Sequence, residues 1–145
     1  MLGMRNYTQE YIDRCRSRVD SDLSVYKNLV AAVKNNSATN ETQLNSAIVA
    51  FEAVFFNNMV LLLDDFFVHR LRTIEGKDGN PLNEVRVMCD SMMSNNNIMS
   101  EDKSINLSPA KSVLKVQFGD EIKLTGADFL LICKASFAEI ESKYL

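Results

Sequence analysis

The sequence contains little that interrupts helices. It has two prolines and five glycines among 145 residues, and it has no tryptophan. Because proline and glycine are the strongest local breakers of regular structure, their scarcity favours a few long helices over many short strands. A chain of this length fits one domain, so we expect residues 1–145 to form a single, mainly all-α domain.

Side chains that bind metals or attack substrates are also scarce. His69 is the only histidine, and Cys15, Cys89 and Cys133 are far apart, without CxxC spacing. Zinc sites need several such ligands close together, so we expect no metal and no cofactor. The sequence also lacks a glycine-rich phosphate loop and the GxSxG motif of serine hydrolases. Unpaired cysteines of this kind are typical of reduced thiols in the cytoplasm.

Charge and hydropathy argue against two further classes of protein. The formal net charge is −3 and the sequence pI is about 5.2, so we expect no broad basic surface for nucleic acid. The most apolar region, residues 46–67, is interrupted by acidic and amide side chains. Its longest charge-free piece is far shorter than the ~20 residues that a membrane-spanning helix needs. We therefore predict a cytoplasmic protein with no membrane span.

Apolar residues repeat at intervals of three and four along most of the chain, which is the pattern of amphipathic helices. The predicted helices span about residues 8–35, 40–73, 81–94 and 125–143. The second is apolar nearly all round, so we expect the others to surround it in a four-helix bundle-like domain. Capping side chains are expected at Thr8 and Asn80, and at the Thr125–Asp128 capping box. The residues of the second helix expected in the core include Phe55, Phe56, Leu62 and Phe66.

Residues 113–125, VLKVQFGDEIKLT, follow a different pattern. Apolar and polar residues alternate on both sides of Gly119-Asp120. Alternation around a two-residue turn with glycine first is typical of a β-hairpin. We therefore expect one small hairpin beside the helices.

The most polar stretch is VHRLRTIEGKDGNPLNEVR, residues 68–86. In a helix that continues to about residue 73, Asn58, Asp65, His69 and Arg72 fall on one face, because each residue advances by 100°. Polar groups on an otherwise buried helix must pair with one another, with water or with a ligand. The glycines that follow allow the chain to reverse and bring further polar groups to the same corner.

This corner has two interpretations. In the first it is a site for a small anion, because basic side chains and the N-terminus of the next helix both attract negative charge. The candidate ligand-binding residues are then Asp65, His69, Arg72, Lys77, Asn80, Asn83 and Arg86. In the second it is a structural lock, in which four charged residues pair across the corner: Arg72, Glu75, Glu84 and Arg86. His69 would then satisfy Asp65 or a backbone carbonyl.

Three segments resemble a family of uncharacterised small helical bacterial proteins: FFNNMVLLLD, VHRLRTIEGKDGNPLNEVRVMCDSM and SVLKVQFGDEIKLTGADF. The resemblance covers about residues 50–145 and implies a small helical protein, with no known activity. The chain is also similar in helical character to the HEPN superfamily, which includes metal-independent ribonucleases. Those enzymes carry an arginine a few residues before a histidine, whereas no arginine occurs between Arg18 and His69. That likeness therefore concerns the fold and not the chemistry.

Two hypotheses for function follow. The first is a cytosolic helical binding or interaction protein without evident catalytic machinery, whose expected partners are a second copy in a homodimer and a small anionic ligand. Its basis is the lack of a nucleophile, metal or nucleotide motif, together with the contact surface of the second helix and the methionine-rich third helix. The alternative is a metal-independent enzyme, ribonuclease-like or phosphoryl-handling, centred on His69. The sequence excludes neither.

Overall fold

The chain is mainly helical in a computed structural model that describes residues 3–36 and 40–145. The helices are α1 (Gln9–Asn36), α2 (Glu41–Asp65), α3 (Arg72–Glu75), α4 (Pro81–Ser94) and α5 (Gly126–Tyr144), with a short 3-10 helix at Pro109–Lys111. No strand forms within the described ranges, which contain only two isolated β-bridges. The prediction of a mainly helical chain is therefore confirmed.

Side-chain caps begin the helices close to where the sequence predicts them. The Thr8 hydroxyl accepts an N–H bond in the first turn of α1, and the Asn80 side chain caps α4 ahead of its first-turn proline. Thr125 and Asp128 form the predicted capping box of α5. Asn40 caps α2 in the same way. These local signals set the starts of the helices because each satisfies N–H groups that the helix itself cannot.

The core lies between α2, α4 and α5, which pack against one another, while α1 packs along α2. Phe56, Met88 and Ile132 are fully buried in it. The expectation for the second helix is correct for Phe56 only, because the other three residues named above are half-buried at the edge of the core.

The tips of α1 and α2 extend beyond this core. None of residues 24–36 and 40–55 is buried. We call these two ranges the arm. An aromatic stack holds its two helices together: the Tyr26 ring lies 5.2 Å from Phe55 and 6.3 Å from Phe51, and the Tyr26 hydroxyl donates to Glu52. The arm is thus ordered by few contacts and keeps much of its apolar surface exposed.

α2 ends at Asp65 rather than near residue 73, so the prediction that Asn58, Asp65, His69 and Arg72 share one helical face is wrong. After Asp65 the chain continues in turns. The N-terminal segment then pairs with it, since Met4 donates to the His69 carbonyl (2.7 Å) and accepts from the Leu71 N–H (2.8 Å). These bonds occupy backbone groups that a continuing helix would need.

The predicted hairpin at residues 113–125 is also wrong. Its second half pairs with residues 97–99 instead: Gly119 N–H donates to the Met99 carbonyl, and Ile122 N–H donates to the Asn97 carbonyl. In its first half, Lys115 adopts a left-handed conformation with φ of 58°, which interrupts an extended strand. The alternation of Ile122 and Leu124 therefore marks burial against the helices and not a strand.

Candidate functional site

The corner between α2 and α4 is organised around the carboxylate of Glu75, which is 0% exposed. Arg70 Nε donates to Oε1 at 2.7 Å, and Arg86 donates to both oxygens, through Nη2 at 2.5 Å and Nε at 3.1 Å. Asn83 Nδ2 donates to Oε2 at 2.8 Å. With Asp64, these residues form what we call the Glu75 cluster. Four donors on one buried carboxylate satisfy it almost completely.

Arg70 links this carboxylate to the end of α2. Its side chain is 1% exposed, and its Nη1 donates to the Phe67 carbonyl at 3.0 Å and lies 3.2 Å from Asp64 Oδ1. The cluster thus contains two guanidinium groups and two carboxylates, so its charges balance. A buried arginine requires such partners, because an unpaired buried charge is strongly destabilising.

The pKa of Glu75 is lowered from 4.5. Burial alone would raise this pKa, but the hydrogen bond from Arg86 and the positive charges of Arg70 and Arg86 outweigh it. Glu75 is therefore ionised at neutral pH and neutralises the positive groups that a ligand anion would otherwise meet.

The N-terminus of α4 is closed by side chains of the chain itself. Asn80 Oδ1 accepts from the N–H groups of Leu82 (2.9 Å) and Asn83 (3.1 Å), and its Nδ2 donates to the Glu75 carbonyl at 2.7 Å. Lys143 Nζ donates to the same carbonyl at 2.8 Å. The first free N–H groups of α4, which the sequence assigned to an anion, are thus already used.

A second buried acid holds the loop before α5. Glu84 is 2% exposed, and its two oxygens accept the N–H groups of Val113 (2.8 Å) and Leu114 (2.9 Å). Burial raises the pKa of this carboxyl from 4.5, more than the two backbone bonds lower it. Glu84 therefore fastens the loop to α4, and it does not pair with an arginine as the structural lock predicted.

The seven predicted site residues separate into two groups. Asn80, Asn83 and Arg86 converge on Glu75, as described above. The side chains of the other four are exposed, and over the described ranges they make no hydrogen bond or ion pair: Asp65, His69, Arg72 and Lys77. The pairing of Glu75 with Arg86 that the structural lock predicted is present, whereas the expected Asp65–His69 contact is not.

Sequence reasoning missed Arg70 and Asp64 as members of the Glu75 cluster. If the second helix continued to residue 73, Arg70 would lie about 100° round the helix from His69. Arg70 was therefore not counted among the residues of the polar face. The available signal was an arginine within the mostly apolar run FFVHRL, residues 66–71. Arginine is seldom fully buried unless it is paired. If this run is buried, Arg70 is therefore expected to pair with acidic residues nearby in the sequence.

His69 lies at a separate surface cavity of about 380 Å³ that it lines with Tyr7, Tyr11 and Phe66, among others. Among the residues described, no carboxylate is within hydrogen-bond reach of its ring to orient it, and no three His, Cys, Asp or Glu side chains are grouped as metal ligands. The described residues therefore supply no side chain that would orient His69 as a general base.

An exposed apolar strip runs along α2 on the side away from the core. It consists of Ala47, Phe51, Val54, Asn58 and Leu61, spaced four, three, four and three residues apart. We call it the outer face of α2. Phe51 is 45% exposed and Val54 is 63% exposed, while Leu61 is half-buried. By length and composition alone α2 could cross a membrane. Only 28% of its most apolar window is buried within the described structure.

No family model, curated protein or solved structure matches the chain. The resemblance to the family of small helical bacterial proteins stays a prediction. The function is therefore inferred from the geometry of the chain itself.

Proposed function

We propose that this chain is a cytoplasmic helical interaction module, and that a helix of a protein partner packs against the outer face of α2. The observation that carries this proposal is the exposure of Phe51 and Val54 in the middle of the most apolar helix of the chain. Burying one such side chain contributes about 1.5–3 kcal/mol. Contiguous exposed apolar surface on a folded protein commonly marks a contact with another molecule.

The spacing of the strip favours a helix as the partner element. Apolar residues at alternating steps of four and three form the seam along which two helices pack in a coiled coil. Met93, which is 73% exposed at the end of α4, borders a groove of about 650 Å³ beside Val54, Asn58 and Leu61. Methionine adapts to irregular partner surfaces, so this groove extends the contact sideways.

A protein fits the outer face of α2 better than a lipid bilayer does. The side of α2 next to the outer face is tied to the loop before α5, since Asn57 Nδ2 donates to the Ile122 carbonyl (2.8 Å) and its Oδ1 accepts from Leu124 N–H (3.2 Å). Asn57 and Asn58 would lie near the middle of a bilayer, where polar side chains are costly. A partner helix leaves the hydrogen bonds of Asn57 intact, and Asn58 is the one polar side chain of the strip that it covers.

The small-anion site and the enzyme hypothesis receive less support. An anion at the corner would compete with Glu75 for Arg86 and with Asn80 for the first N–H groups of α4. An enzyme centred on His69 would need an orienting group that the described residues do not supply. We therefore propose the Glu75 cluster as a structural element that fixes the corner.

Thiol labelling inside cells tests the proposal. A Val54→Cys variant puts a reactive cysteine on the outer face of α2, and Ser21→Cys, at an exposed position of α1, is the matched control. The native Cys15, Cys89 and Cys133 are buried, and burial raises their thiol pKa, in Cys133 to about 12, so they contribute little background.

We expect Val54→Cys to react with a membrane-permeant maleimide several-fold more slowly in cells than in dilute purified protein. Ser21→Cys should react at similar rates in both. Equal rates for Val54→Cys in the two settings would show that nothing covers this face and would overturn the proposal.

A further inference from the structure

We infer that the helix that packs against the outer face of α2 is α2 of a second copy of this chain, in antiparallel orientation. This inference rests on the proposed function, because it names the partner of the same face. Three features of α2 support it: its charge, the symmetry of its spacing, and the area that it offers.

The outer face carries no charge over most of its length. Between Glu41 and Asp64 the only charged residue of α2 is Glu52, which is bonded to the Tyr26 hydroxyl on the side of α2 that faces α1. Charge complementarity steers a protein towards partners of opposite sign and away from like-charged ones. A neutral apolar strip has no such bias and can meet its own copy without repulsion.

When Asp65 is added at its C-terminal end, the strip becomes symmetric about the level of residue 56, as any run of alternating four- and three-residue steps with equal ends is. Ala47, Phe51 and Val54 lie as far before this level as Asp65, Leu61 and Asn58 lie after it. An antiparallel pair related by a twofold axis therefore brings Phe51 of one copy opposite Leu61 of the other, and Val54 opposite Asn58. Such an isologous contact closes after two copies.

The acidic end of α2 also favours the antiparallel orientation. A parallel pair would bring Asp65 of one copy against Asp65 of the other, with Asp64 beside it, and like charges repel at this distance. In the antiparallel pair Asp65 lies opposite the small side chain of Ala47 at the rim, where it remains in water. The antiparallel arrangement also opposes the two helix dipoles favourably.

Asn58 limits the strength of the pair. Over the described ranges its side chain makes no hydrogen bond, and it is the only polar side chain between Ala47 and Leu61 on the strip. In the antiparallel register Asn58 lies opposite Val54, which offers its amide no hydrogen bond, so burial of this amide lowers the stability of the pair. Asn58→Leu should therefore tighten association.

The available area predicts a weak dimer. From Ala47 to Asp65 the strip is about 27 Å long and a helix is about 10 Å wide, so the strip offers about 270 Å² per copy. Even with the groove beside Met93, we expect the contact to stay below the ~1,200 Å² at which standard specific interfaces begin. We expect micromolar association rather than a permanent dimer.

Sedimentation velocity over a concentration series is the first test. The full chain should shift from monomer to dimer with rising concentration, and Val54→Glu should weaken association at least about tenfold. Val54 is 63% exposed, so the variant should fold normally, which circular dichroism verifies. A chain that stays monomeric at all concentrations overturns the inference, as does a Val54→Glu variant that associates like the wild type.

Oxidative cross-linking tests the orientation. When Val54→Cys and Asn58→Cys chains are mixed, the antiparallel register predicts mixed disulfides well in excess of either self-linked product. Predominant self-linking of each variant would indicate the parallel arrangement and overturn the antiparallel one.

The outcomes separate this inference from the proposed function. A monomer in solution whose Val54→Cys is nevertheless protected in cells has a different partner, which overturns the second copy and leaves the interaction module standing. Co-sedimentation with vesicles of neutral phospholipid, lost in Val54→Glu, would assign the face to a membrane and overturn both. A monomer with an unprotected Val54→Cys overturns both as well.

Discussion

The Glu75 cluster and the outer face of α2 reverse the usual placement of side chains in opposite ways. The cluster buries Arg70 and Glu75 and partly buries Arg86 and Asp64, whereas the outer face exposes phenylalanine and valine to water. In the cluster each charged group has an oppositely charged partner within the chain, and among the described residues only the Nη2 atom of Arg70 lacks a hydrogen bond there. On the outer face Val54 is 63% exposed, and Phe51 is 45% exposed although it stacks on Tyr26 and Phe55. We propose that another molecule covers this surface.

This difference shows which unusually placed side chains indicate a contact with another molecule. A buried charged residue is a functional candidate only when its partners are missing, and those of Glu75 are present. An exposed apolar residue becomes a candidate when it belongs to a contiguous strip at helical spacing, as Val54 does. The predictions below test each side of this comparison.

Removal of the central carboxylate should have the largest effect. Glu75→Ala leaves Arg70, whose side chain is 1% exposed, and part of Arg86 without their main acceptor. Breaking a buried pair in this way costs about 3–5 kcal/mol. Urea denaturation measures the free energy of unfolding, and the exposed Glu101→Ala is the control, with an expected change within about 0.5 kcal/mol. A loss near that of the control would mean that water reaches the cluster.

Two phenylalanines on opposite sides of α2 should differ in their contributions to stability. Phe56→Ala empties a fully buried site and should cost about 3–5 kcal/mol. Phe51 is 45% exposed but stacks on Tyr26 and Phe55, so Phe51→Ala should cost the monomer about 1–2 kcal/mol, clearly less than Phe56→Ala. Chemical denaturation at low protein concentration checks both values. Similar losses for the two variants would contradict the assignment of the outer face.

The two buried glutamates should give stability opposite dependences on pH. The folded pKa of Glu75 is lowered, so its contribution is present above the unfolded value and is lost as pH falls through the folded one. The folded pKa of Glu84 is raised, so its contribution is present below the unfolded value and is lost as pH rises through the folded one.

Urea denaturation of the two glutamine variants across the acidic range tests these signs. Relative to the wild type, Glu75→Gln should gain in stability as pH falls, and Glu84→Gln should gain as pH rises. Slopes of the same sign for both variants would contradict the environments described for these carboxyl groups.

The smallest effect on the monomer is expected from Val54→Glu. Val54 is largely exposed, so the free energy of unfolding in dilute solution should change by no more than about 0.5 kcal/mol. A loss above about 2 kcal/mol would mean that Val54 belongs to the core of the monomer.

Local signals in the sequence predicted much of this fold. Asn80-Pro81 begins α4, and the Thr125–Asp128 capping box begins α5, because a cap acts within a few residues. Long-range pairing decided the two features that were predicted wrongly. Met4 pairs with the chain after Asp65 and ends α2 early, and residues 97–99 take the place of the hairpin partner.

The same early end of α2 explains what was missed at the corner. The helical geometry that placed Asp65 and His69 on one face does not apply beyond Asp65. The same assumed geometry placed Arg70 off that face, whereas its side chain in fact donates to Glu75. The pairing of Glu75 with Arg86 was accessible because both lie in one short polar stretch. The exposure of Val54 could not be predicted from the sequence, because an apolar sequence alone does not distinguish a helix buried in the core from a helix with one exposed apolar face.

One NMR experiment compares the two regions directly. Backbone amide shifts of the full chain are recorded on dilution from millimolar to micromolar protein, and again at fixed concentration with inorganic phosphate added. The account predicts that dilution moves the amides of Phe51, Val54 and Asn58, and that phosphate leaves those of Lys77 and Asn83 unchanged. Saturable phosphate shifts at Lys77 and Asn83, with no change along α2 on dilution, would contradict it.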